Sequence, residues 1–271
     1  MSTGRVWLVG GGPGDPELIT VKGLRLLEAA DVIVVDRLAP RALLDELPRV
    51  LTGETEVIDV GKHPGHHPVR QSGINELIVE HALAGRDVVR LKGGDPYVLG
   101  RGGEEVAACV AAGVPVEVVP GVTSAVSVPS AAGIPLTHRG VARAFTVLSG
   151  HDDVTDLLGG VPGGPEHTVV LLMAIAGLAH TARALVAAGR PDDTPVAIIE
   201  DGFGPRQRTT LATLGTVAQV AAEAGVRNPA VVVVGDVVTL APGWAGEVAG
   251  DQRMWRAAVR GRVTLTESAR R

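Results

Sequence analysis

Short runs of β-branched residues alternate with alanine- and leucine-rich segments of helical periodicity through the first half of this chain. Such alternation is typical of a mainly parallel sheet, because each parallel connection needs a crossover that a helix usually supplies. A further helix of small residues is predicted after the last of these strands. The predicted strands cover residues 5–10, 31–36, 56–60, 87–91 and 114–119, and the predicted helices cover residues 18–29, 71–83 and 104–112.

The second half also alternates, but its spacing favours a sheet of mixed direction. Helices are predicted at residues 178–188 and 217–224. Two apolar runs, residues 207–211 and 237–240, are interpreted as extra strands that could run antiparallel. The other predicted strands cover residues 145–148, 168–173, 196–200 and 230–235.

The predicted fold class is therefore α/β, with two α/β domains. Residues 1–136 would hold the mainly parallel sheet and residues 137–245 the mixed sheet, with the boundary in the Gly-, Pro- and Thr-containing segment 133–140. Residues 246–271 are rich in arginine and poor in apolar residues, which predicts a flexible tail.

Composition narrows the class of function. Hydrophobic residues make up 45% of the chain and aromatic residues only 2%, so Val, Leu, Ala and Ile must build the core. The net charge of −5 argues against nucleic acid or an anionic membrane as the main partner. The single cysteine, Cys109, predicts a small core residue and no disulfide within the chain. With no signal-peptide pattern and no long apolar run, we expect a soluble cytoplasmic protein.

Residues 91–105, LKGGDPYVLGRGGEE, connect a predicted strand to a predicted helix. Open α/β sheets bind their ligands at such carboxyl ends. Gly93 and Gly94 allow close backbone approach or a positive φ, Asp95 offers a carboxylate, and Pro96 delays the helix. This density of glycine and charge favours a binding loop over a simple turn.

The loop GGGPGDP, residues 10–16, resembles a dinucleotide fingerprint but does not match it. The pattern requires glycine where Asp15 stands, and Pro13 and Pro16 lack the amide donors that hold a pyrophosphate. A loop that faces another kind of ligand and a purely structural turn remain equally open.

Asp36 ends a buried-looking strand and precedes Arg37. It could act as a base, hold a ribose hydroxyl, or pair with Arg37, and its position alone slightly favours the ion pair. No Ser-His-Asp arrangement or G-x-S-x-G motif is convincing, so nothing indicates covalent catalysis.

Residues 61–70, GKHPGHHPVR, contain several cationic or imidazole side chains and no acid. A zinc site is disfavoured, because no cysteine is near and the prolines separate the histidines. The segment is better interpreted as a loop for an anionic substrate, with a solvated basic loop as the alternative. Further positive charge lies at Arg101, His138, Arg139 and Arg143, and arginine binds carboxylates in a bidentate manner.

Taken together, these segments resemble the uroporphyrinogen-III C-methyltransferases of the tetrapyrrole methylase family. The resemblance extends over residues 6–238 and rests on GGGPGDPELIT, VVDRL, VGKHPGHH, VVRLKGGDPYVLGRGGEE, VVPGVTSA and AGIPLTHRG. It implies S-adenosylmethionine as the cofactor, bound in a cleft between the domains, with no metal. It also implies a homodimer.

The resemblance further implies roles for individual residues. Asp36 would be the proton acceptor and Lys62 the proton donor. Because the implied substrate carries many carboxylates, we nominate the cationic residues Lys62, His66, Arg101 and Arg139 to bind them. The implied cofactor-binding residues are Pro13, Gly93, Gly94, Asp95, Val98, Thr123, Ser124, Met173 and Gly202. The chain departs from common family residues at Val35, Tyr97, Leu99 and Leu172.

The implied reaction transfers two methyl groups to ring carbons 2 and 7 of uroporphyrinogen III and gives precorrin-2, for sirohaem or cobalamin synthesis. The alternatives are a sister methylase that acts on another corrin intermediate, or an RNA or diphthamide methylase of the same fold. A regulatory module that binds S-adenosylmethionine without catalysis is a third alternative.

Overall fold

The computed structural model describes residues 2–61, 69–151, 155, 161, 163–164 and 166–244. They form two compact units, which divide between Ser124 and Ala125. The division lies earlier in the chain than the predicted boundary after residue 136. The physical reason is that Ala125, Ile134 and Leu136 belong to an apolar core built on the second sheet. The predicted tail lies outside the described residues.

The first unit contains a five-stranded sheet in which every described pairing is parallel. The strand order is β3-β2-β4-β1-β5. Apolar side chains alternate between the two faces, with Val9 and Leu91 in one core and Leu8 and Val88 in the other. The strands are β1 Val6–Gly10, β2 Val32–Val35, β3 Glu56–Asp59, β4 Val88–Lys92 and β5 Val116–Val119.

The helices predicted at residues 18–29, 71–83 and 104–112 are present, and each begins and ends within about three residues of its predicted bounds, whereas the short helix at Pro48–Leu51 was not predicted. Thr20 caps the first of them, since its Oγ1 accepts a hydrogen bond from the Gly23 N–H at 3.0 Å. Two 3₁₀ helices, Pro16–Leu18 and Arg41–Glu46, were not predicted. The α-helices are α1 Val21–Ala29, α2 Pro48–Leu51, α3 Gln71–Leu83, α4 Gly102–Ala111 and α5 Ser124–Ala131, which crosses the division.

The second unit contains a mixed five-stranded sheet of order β6-β7-β10-β8-β9. Only β6 and β7 pair in parallel, and the other described pairings are antiparallel. The predicted fold class, with a mainly parallel first sheet and a mixed second sheet, is therefore confirmed. The elements are β6 Ala144–Ser149, β7 His167–Leu172, α6 Leu178–Ala187, β8 Pro195–Glu200, β9 Arg208–Thr213, α7 Val217–Glu223 and β10 Ala230–Val234.

The two extra strands predicted in this half have opposite outcomes. The run at residues 207–211 lies in β9, which pairs antiparallel with β8. The run at residues 237–240 is not a strand but the 3₁₀ helix Asp236–Leu240. β10 ends at Val234, and the next residue, Gly235, turns the chain with a φ of 136°. Val237 and Val238 then pack into the core of the sheet. The apolar residues of this run are therefore buried, but their backbone is helical and not an extended strand.

Cys109 is buried in α4, as predicted, and only 1% of its surface is exposed. Burial raises the pKa of its thiol to about 11, and the charge of Glu105 contributes in the same direction. Within the described ranges, no helix is long and apolar enough to cross a membrane.

Candidate active site

Loops from β1 and β4 meet at the carboxyl edge of the first sheet. The Gly12 N–H donates to the Gly94 carbonyl at 3.2 Å, and the Gly94 N–H donates back to the Gly12 carbonyl at 2.7 Å. The Gly11 N–H donates to the Lys92 carbonyl at 2.7 Å. The register explains the meeting, since Gly10 is paired with Lys92 in the sheet. Backbone hydrogen bonds thus join the loop of residues 10–16 to the loop of residues 91–105.

The backbone of the loop after β5 packs directly against the backbones of the loops after β1 and β4. A Cβ at Gly121 would lie 2.3 Å from the Gly94 carbonyl oxygen, and a Cβ at Gly10 would lie 2.6 Å from the Gly121 Cα. Gly94 also has a φ of 64°, in the left-handed region. Glycine is therefore required at these positions so that three loops can share one small space.

The carboxylate of Asp95 connects two of these loops. Its Oδ1 accepts a hydrogen bond from the Tyr97 N–H at 2.8 Å, and its Oδ2 accepts one from the Gly121 N–H at 3.0 Å. Asp95 thus holds both its own turn and the loop after β5. Its predicted role toward a cofactor would be carried at least partly by this shaping of the loops.

The remaining predicted cofactor residues of the first unit lie on the same three loops. A Cβ at Gly94 would lie 3.7 Å from the Ser124 nitrogen and 3.9 Å from the Thr123 Cα. Pro13, Val98, Thr123 and Ser124 are each half-buried. The first unit therefore brings together Pro13, Gly93, Gly94, Asp95, Val98, Thr123 and Ser124.

Met173 and Gly202 lie in the second unit, directly after β7 and near the end of β8. Both strands run antiparallel to β10, so their carboxyl ends lie at the same edge of the second sheet. Met173 is 47% exposed and has a φ of 59°, a strained conformation for a side chain of this size. A Cβ at Gly202 would lie 2.5 Å from Val128 Cγ2, so packing requires this glycine.

Asp36 lies at the end of β2 with its carboxylate held from two sides. Its Oδ1 accepts the backbone N–H groups of Leu38 and Ala39, each at 3.0 Å. Its Oδ2 accepts a hydrogen bond from Arg90 Nη2 at 3.3 Å. The partner is therefore Arg90 of β4, and not the exposed neighbour Arg37 that the sequence suggested.

The turn after Asp36 contacts the glycine-rich loop. A Cβ at Gly93 would lie 2.6 Å from the Leu38 carbonyl oxygen. The strand order supports this contact, because β2 and β4 are neighbours and Val35 pairs with Leu91. A carboxylate with acceptor capacity thus lies beside the loops that would hold a ligand.

Behind Asp36 lies a buried charge cluster that the sequence analysis missed. Arg90 Nε donates to Glu105 Oε1 at 3.0 Å, and Lys92 Nζ lies 2.9 Å from Glu105 Oε2. Glu105 is 0% exposed, Arg90 3% and Lys92 4%. Burial lowers the pKa of Lys92, and Arg90 lowers it further, while Glu105 opposes both effects. The only signal in the sequence was a pair of cations inside the apolar run of β4.

Two predicted cationic residues are exposed and lie apart from Asp36 in the chain. Arg101 has a φ of 58° and donates from Nε and Nη2 to the two Glu104 carboxylate oxygens, each at 2.8 Å. To bind a substrate carboxylate, it would have to exchange this partner. Arg139 lines an open pocket of about 430 Å³ together with Thr137, His138, Gly140, Ala142 and Arg143.

Lys62 and His66 lie outside the described residues. Gly61, the last described residue before them, lies close to the turn of Asp36, since a Cβ there would be 2.9 Å from the Arg37 nitrogen. No group of three or more His, Cys, Asp or Glu side chains suited to a metal occurs in the part of the chain that the structure describes.

Comparisons with known proteins identify the family of the chain. A sequence model of the tetrapyrrole (corrin/porphyrin) methylases matches residues 5–218. An S-adenosyl-L-methionine-dependent uroporphyrinogen III methyltransferase of Methanosarcina barkeri is 47% identical over 257 residues, which cover 92% of this chain and 96% of that protein. A siroheme synthase of Gluconobacter oxydans is 47% identical over 239 residues, 87% of this chain but only 50% of that protein.

Among solved structures, the chain is similar to a uroporphyrin-III C-methyl transferase from Thermus thermophilus complexed with S-adenyl homocysteine. The TM-score is 0.73 and the sequence identity 42%, over 88% of this chain and 100% of that chain. The resemblance seen in the sequence motifs is thus confirmed at the level of whole chains. This chain belongs to the tetrapyrrole (corrin/porphyrin) methylases.

Proposed function

We propose that this protein transfers methyl groups from S-adenosylmethionine to ring carbons 2 and 7 of uroporphyrinogen III, which gives precorrin-2. The observation that carries the proposal is the position of Asp36, a fixed carboxylate beside the joined glycine loops. The relatives named for this activity support the same chemistry.

The glycine loops fit S-adenosylmethionine better than a nucleotide diphosphate. Pro13 and Pro16 remove amide donors that a pyrophosphate would need, whereas a sulfonium carries no negative charge to be bound. The backbones of Gly93 and Gly94, with the half-buried hydroxyl residues Thr123 and Ser124, would hold the cofactor on the first unit. Met173 and Gly202 would contribute from the second.

When bound, S-adenosylmethionine supplies a methyl carbon on a positively charged sulfur, which an electron-rich pyrrole carbon can attack. No nucleophile from the protein is needed for this bond, and none was found in the sequence motifs. The transfer leaves a positive charge on the macrocycle, so one proton must leave it. Asp36 Oδ2 accepts that proton, and Lys62, the expected proton donor, would donate a hydrogen bond to a ring nitrogen and keep its proton.

The remaining work of the protein is to orient a substrate that carries many carboxylates. We propose Lys62, His66, Arg101 and Arg139 as the cationic residues that bind them.

We also propose that the protein works in the cytoplasm, without nucleic acid or membrane, as a homodimer. The net charge of −5 and the single, buried Cys109 are consistent with this setting. Light scattering after size exclusion would measure the mass, and a mass of one chain would overturn the dimer.

The activity is tested by anaerobic incubation with S-adenosylmethionine and uroporphyrinogen III, followed by mass spectrometry of the tetrapyrrole. A gain of two methyl groups is expected. A gain of one methyl group would indicate an altered substrate site, and Tyr97 and Leu99 would be the first residues to test. No gain despite cofactor binding would overturn the proposal in favour of a sister substrate or a binding module.

The role of Asp36 is tested with Asp36→Asn, and Asp45→Asn serves as the matched exposed control on the same unit. We expect turnover to fall roughly a hundredfold or more for Asp36→Asn, within the range of general base catalysis, with cofactor affinity unchanged by calorimetry. If cofactor affinity is lost equally, Asp36 binds the ribose or supports the loop instead.

A further inference from the structure

We propose that Glu105 is a positioning residue that acts on Asp36 through Arg90. The proposal rests on the proposed function, because it assigns a purpose to the geometry around the proton acceptor. Glu105 itself is fully buried in α4 and lies behind Arg90, so it does not contact the reacting atoms.

The cluster is a poor device for stability alone. A buried ion pair rarely stabilises a fold more than apolar side chains of the same volume would, because both charges lose their water. Here three buried charges, Arg90, Lys92 and Glu105, lie within one network. The two cations would leave an excess of positive charge, and Asp36 completes the neutralisation at the exposed end.

Arg90 is fixed in a way that lets it orient another group. Its Nε donates to Glu105, and its Nη1 donates to the carbonyls of Val34 at 3.2 Å and Leu91 at 3.1 Å. These contacts hold the guanidinium plane, and its Nη2 then meets Asp36 Oδ2. Because a guanidinium is rigid and planar, anchoring its other nitrogens fixes the direction of the last one.

The two oxygens of Asp36 are consequently unequal. Oδ1 accepts two backbone N–H groups and has both lone pairs engaged. Among the described residues, Oδ2 has Arg90 as its donor, so one lone pair stays available. The geometry therefore assigns proton acceptance to Oδ2, in a direction that Glu105 sets through Arg90.

Other charged groups near this cluster do not replace Glu105. Lys92 Nζ donates to Glu105 Oε1 at 3.0 Å, and Gln71 Nε2 donates to the same oxygen at 3.3 Å. Arg37 is exposed and makes no described ion pair with Asp36. The path from Glu105 to Asp36 thus passes through one guanidinium.

A double-mutant cycle tests this path. We would measure single-turnover methyl transfer to uroporphyrinogen III, with cofactor saturating, for Glu105→Gln, Asp36→Asn and both together. Glu105→Gln alone should slow transfer roughly tenfold to a hundredfold, the effect of a misdirected catalytic group. In the Asp36→Asn background it should change the rate by no more than about twofold, because the group it positions is already lost.

Equal slowing in both backgrounds would overturn the proposal, since a merely structural role would act independently of Asp36. The control is Glu56→Gln, which breaks the exposed pair with Arg86 at the opposite end of the sheet and should leave the rate unchanged. If Glu105→Gln does not fold, the cycle uses Glu105→Gln with Lys92→Met, which removes the cation left unpaired.

A readout without turnover separates this proposal from the proposed function. The amide signals of Leu38 and Ala39 report on Asp36 Oδ1 in heteronuclear NMR spectra. Glu105→Gln should shift them and Glu56→Gln should not. If the wild-type protein fails to methylate but these signals shift, the function is wrong and the positioning stands. If it methylates and they do not move, the positioning is wrong.

Discussion

The carboxylate of Asp95 accepts a hydrogen bond from the backbone N–H of Gly121 at 3.0 Å, across two different loops of the first sheet. The same carboxylate holds the N–H of Tyr97 at 2.8 Å. Each oxygen therefore has one backbone donor, and the arrangement needs an acceptor at both positions. This requirement distinguishes aspartate from asparagine, which has one acceptor and one donor.

Asp95→Asn should weaken cofactor binding through the shape of the loops. One backbone N–H would face an amide NH₂ group, at a cost of about 1–3 kcal/mol. We expect the affinity for S-adenosylmethionine, measured by calorimetry, to fall roughly tenfold or more, since about 1.4 kcal/mol corresponds to a factor of ten.

Asp87→Asn is the matched control for this change. Asp87 Oδ1 also accepts a backbone N–H, that of Arg5 at 3.0 Å, but at the other end of the sheet. Its replacement should affect stability and leave cofactor affinity unchanged. Equal affinities for wild type and Asp95→Asn would show that the link between the loops is not needed.

Gly121→Ala should separate the loops by steric overlap. The new Cβ would lie 2.3 Å from the Gly94 carbonyl oxygen and 2.7 Å from the Gly10 carbonyl carbon, both of which are backbone atoms. Overpacking of this kind costs about 1–3 kcal/mol, and we expect a lower free energy of unfolding in urea together with loss of cofactor binding.

Gly103→Ala is the matched control in the same unit, and this variant should not be destabilised. Gly103 lies in α4, and a Cβ there would meet nothing within 4 Å. Alanine is the better helix former, so stability should stay equal or rise by up to about 1 kcal/mol, with cofactor affinity unchanged. If both variants bind cofactor as wild type does, close approach at Gly121 is not what shapes the site.

The sequence predicted elements well where one local pattern decides them. α3 was predicted over residues 71–83, and it forms Gln71–Leu83. The helical turns after Pro40 were missed because prolines interrupt any periodicity there. The strand predicted at residues 237–240 was wrong, because β-branched residues are common both in strands and at other buried positions. Only the pairing of strands in the sheet distinguishes the two cases.

The site was harder to predict where distant residues meet. Arg37 adjoins Asp36 in the chain, but the actual partner is Arg90, 54 residues away, because β2 and β4 are neighbours in the sheet. Glu105 lies among small and apolar residues in a helix, a position where glutamate usually faces solvent. The local sequence shows neither the register of the strands nor the burial of a side chain, so this charge cluster could be identified only from the structure.

Cys109 should resist alkylation in the folded protein. Burial raises the pKa of its thiol to about 11, so little thiolate exists at pH 8, and only 1% of the residue is exposed. We expect labelling by iodoacetamide, followed by mass spectrometry, to be at least about a hundredfold slower in buffer than in denaturant. Comparable rates would indicate frequent opening of α4.

His167 should make the stability of the second unit depend on pH. Burial lowers the pKa of His167, and Arg190, whose Nη2 lies 3.2 Å from its Nδ1, lowers it further. The unfolded state, with a pKa of about 6.5, then binds more protons than the folded state at mildly acidic pH. The contribution of His167 is thus fully present above about pH 6.5 and is lost as the pH falls through the folded value.

His167→Gln should therefore flatten the decline in unfolding free energy between pH 7 and pH 5. One proton corresponds to a slope of at most about 1.4 kcal/mol per pH unit, which urea titrations at several pH values resolve. Glutamine keeps a polar group near Thr146 Oγ1, which lies 3.0 Å from His167 Nε2. His180→Gln, at an exposed position of α6, should leave the slope as it is in wild type. An unchanged slope in His167→Gln would mean that other groups carry the acid sensitivity, because a buried imidazole that unfolding releases must take up its proton in this range.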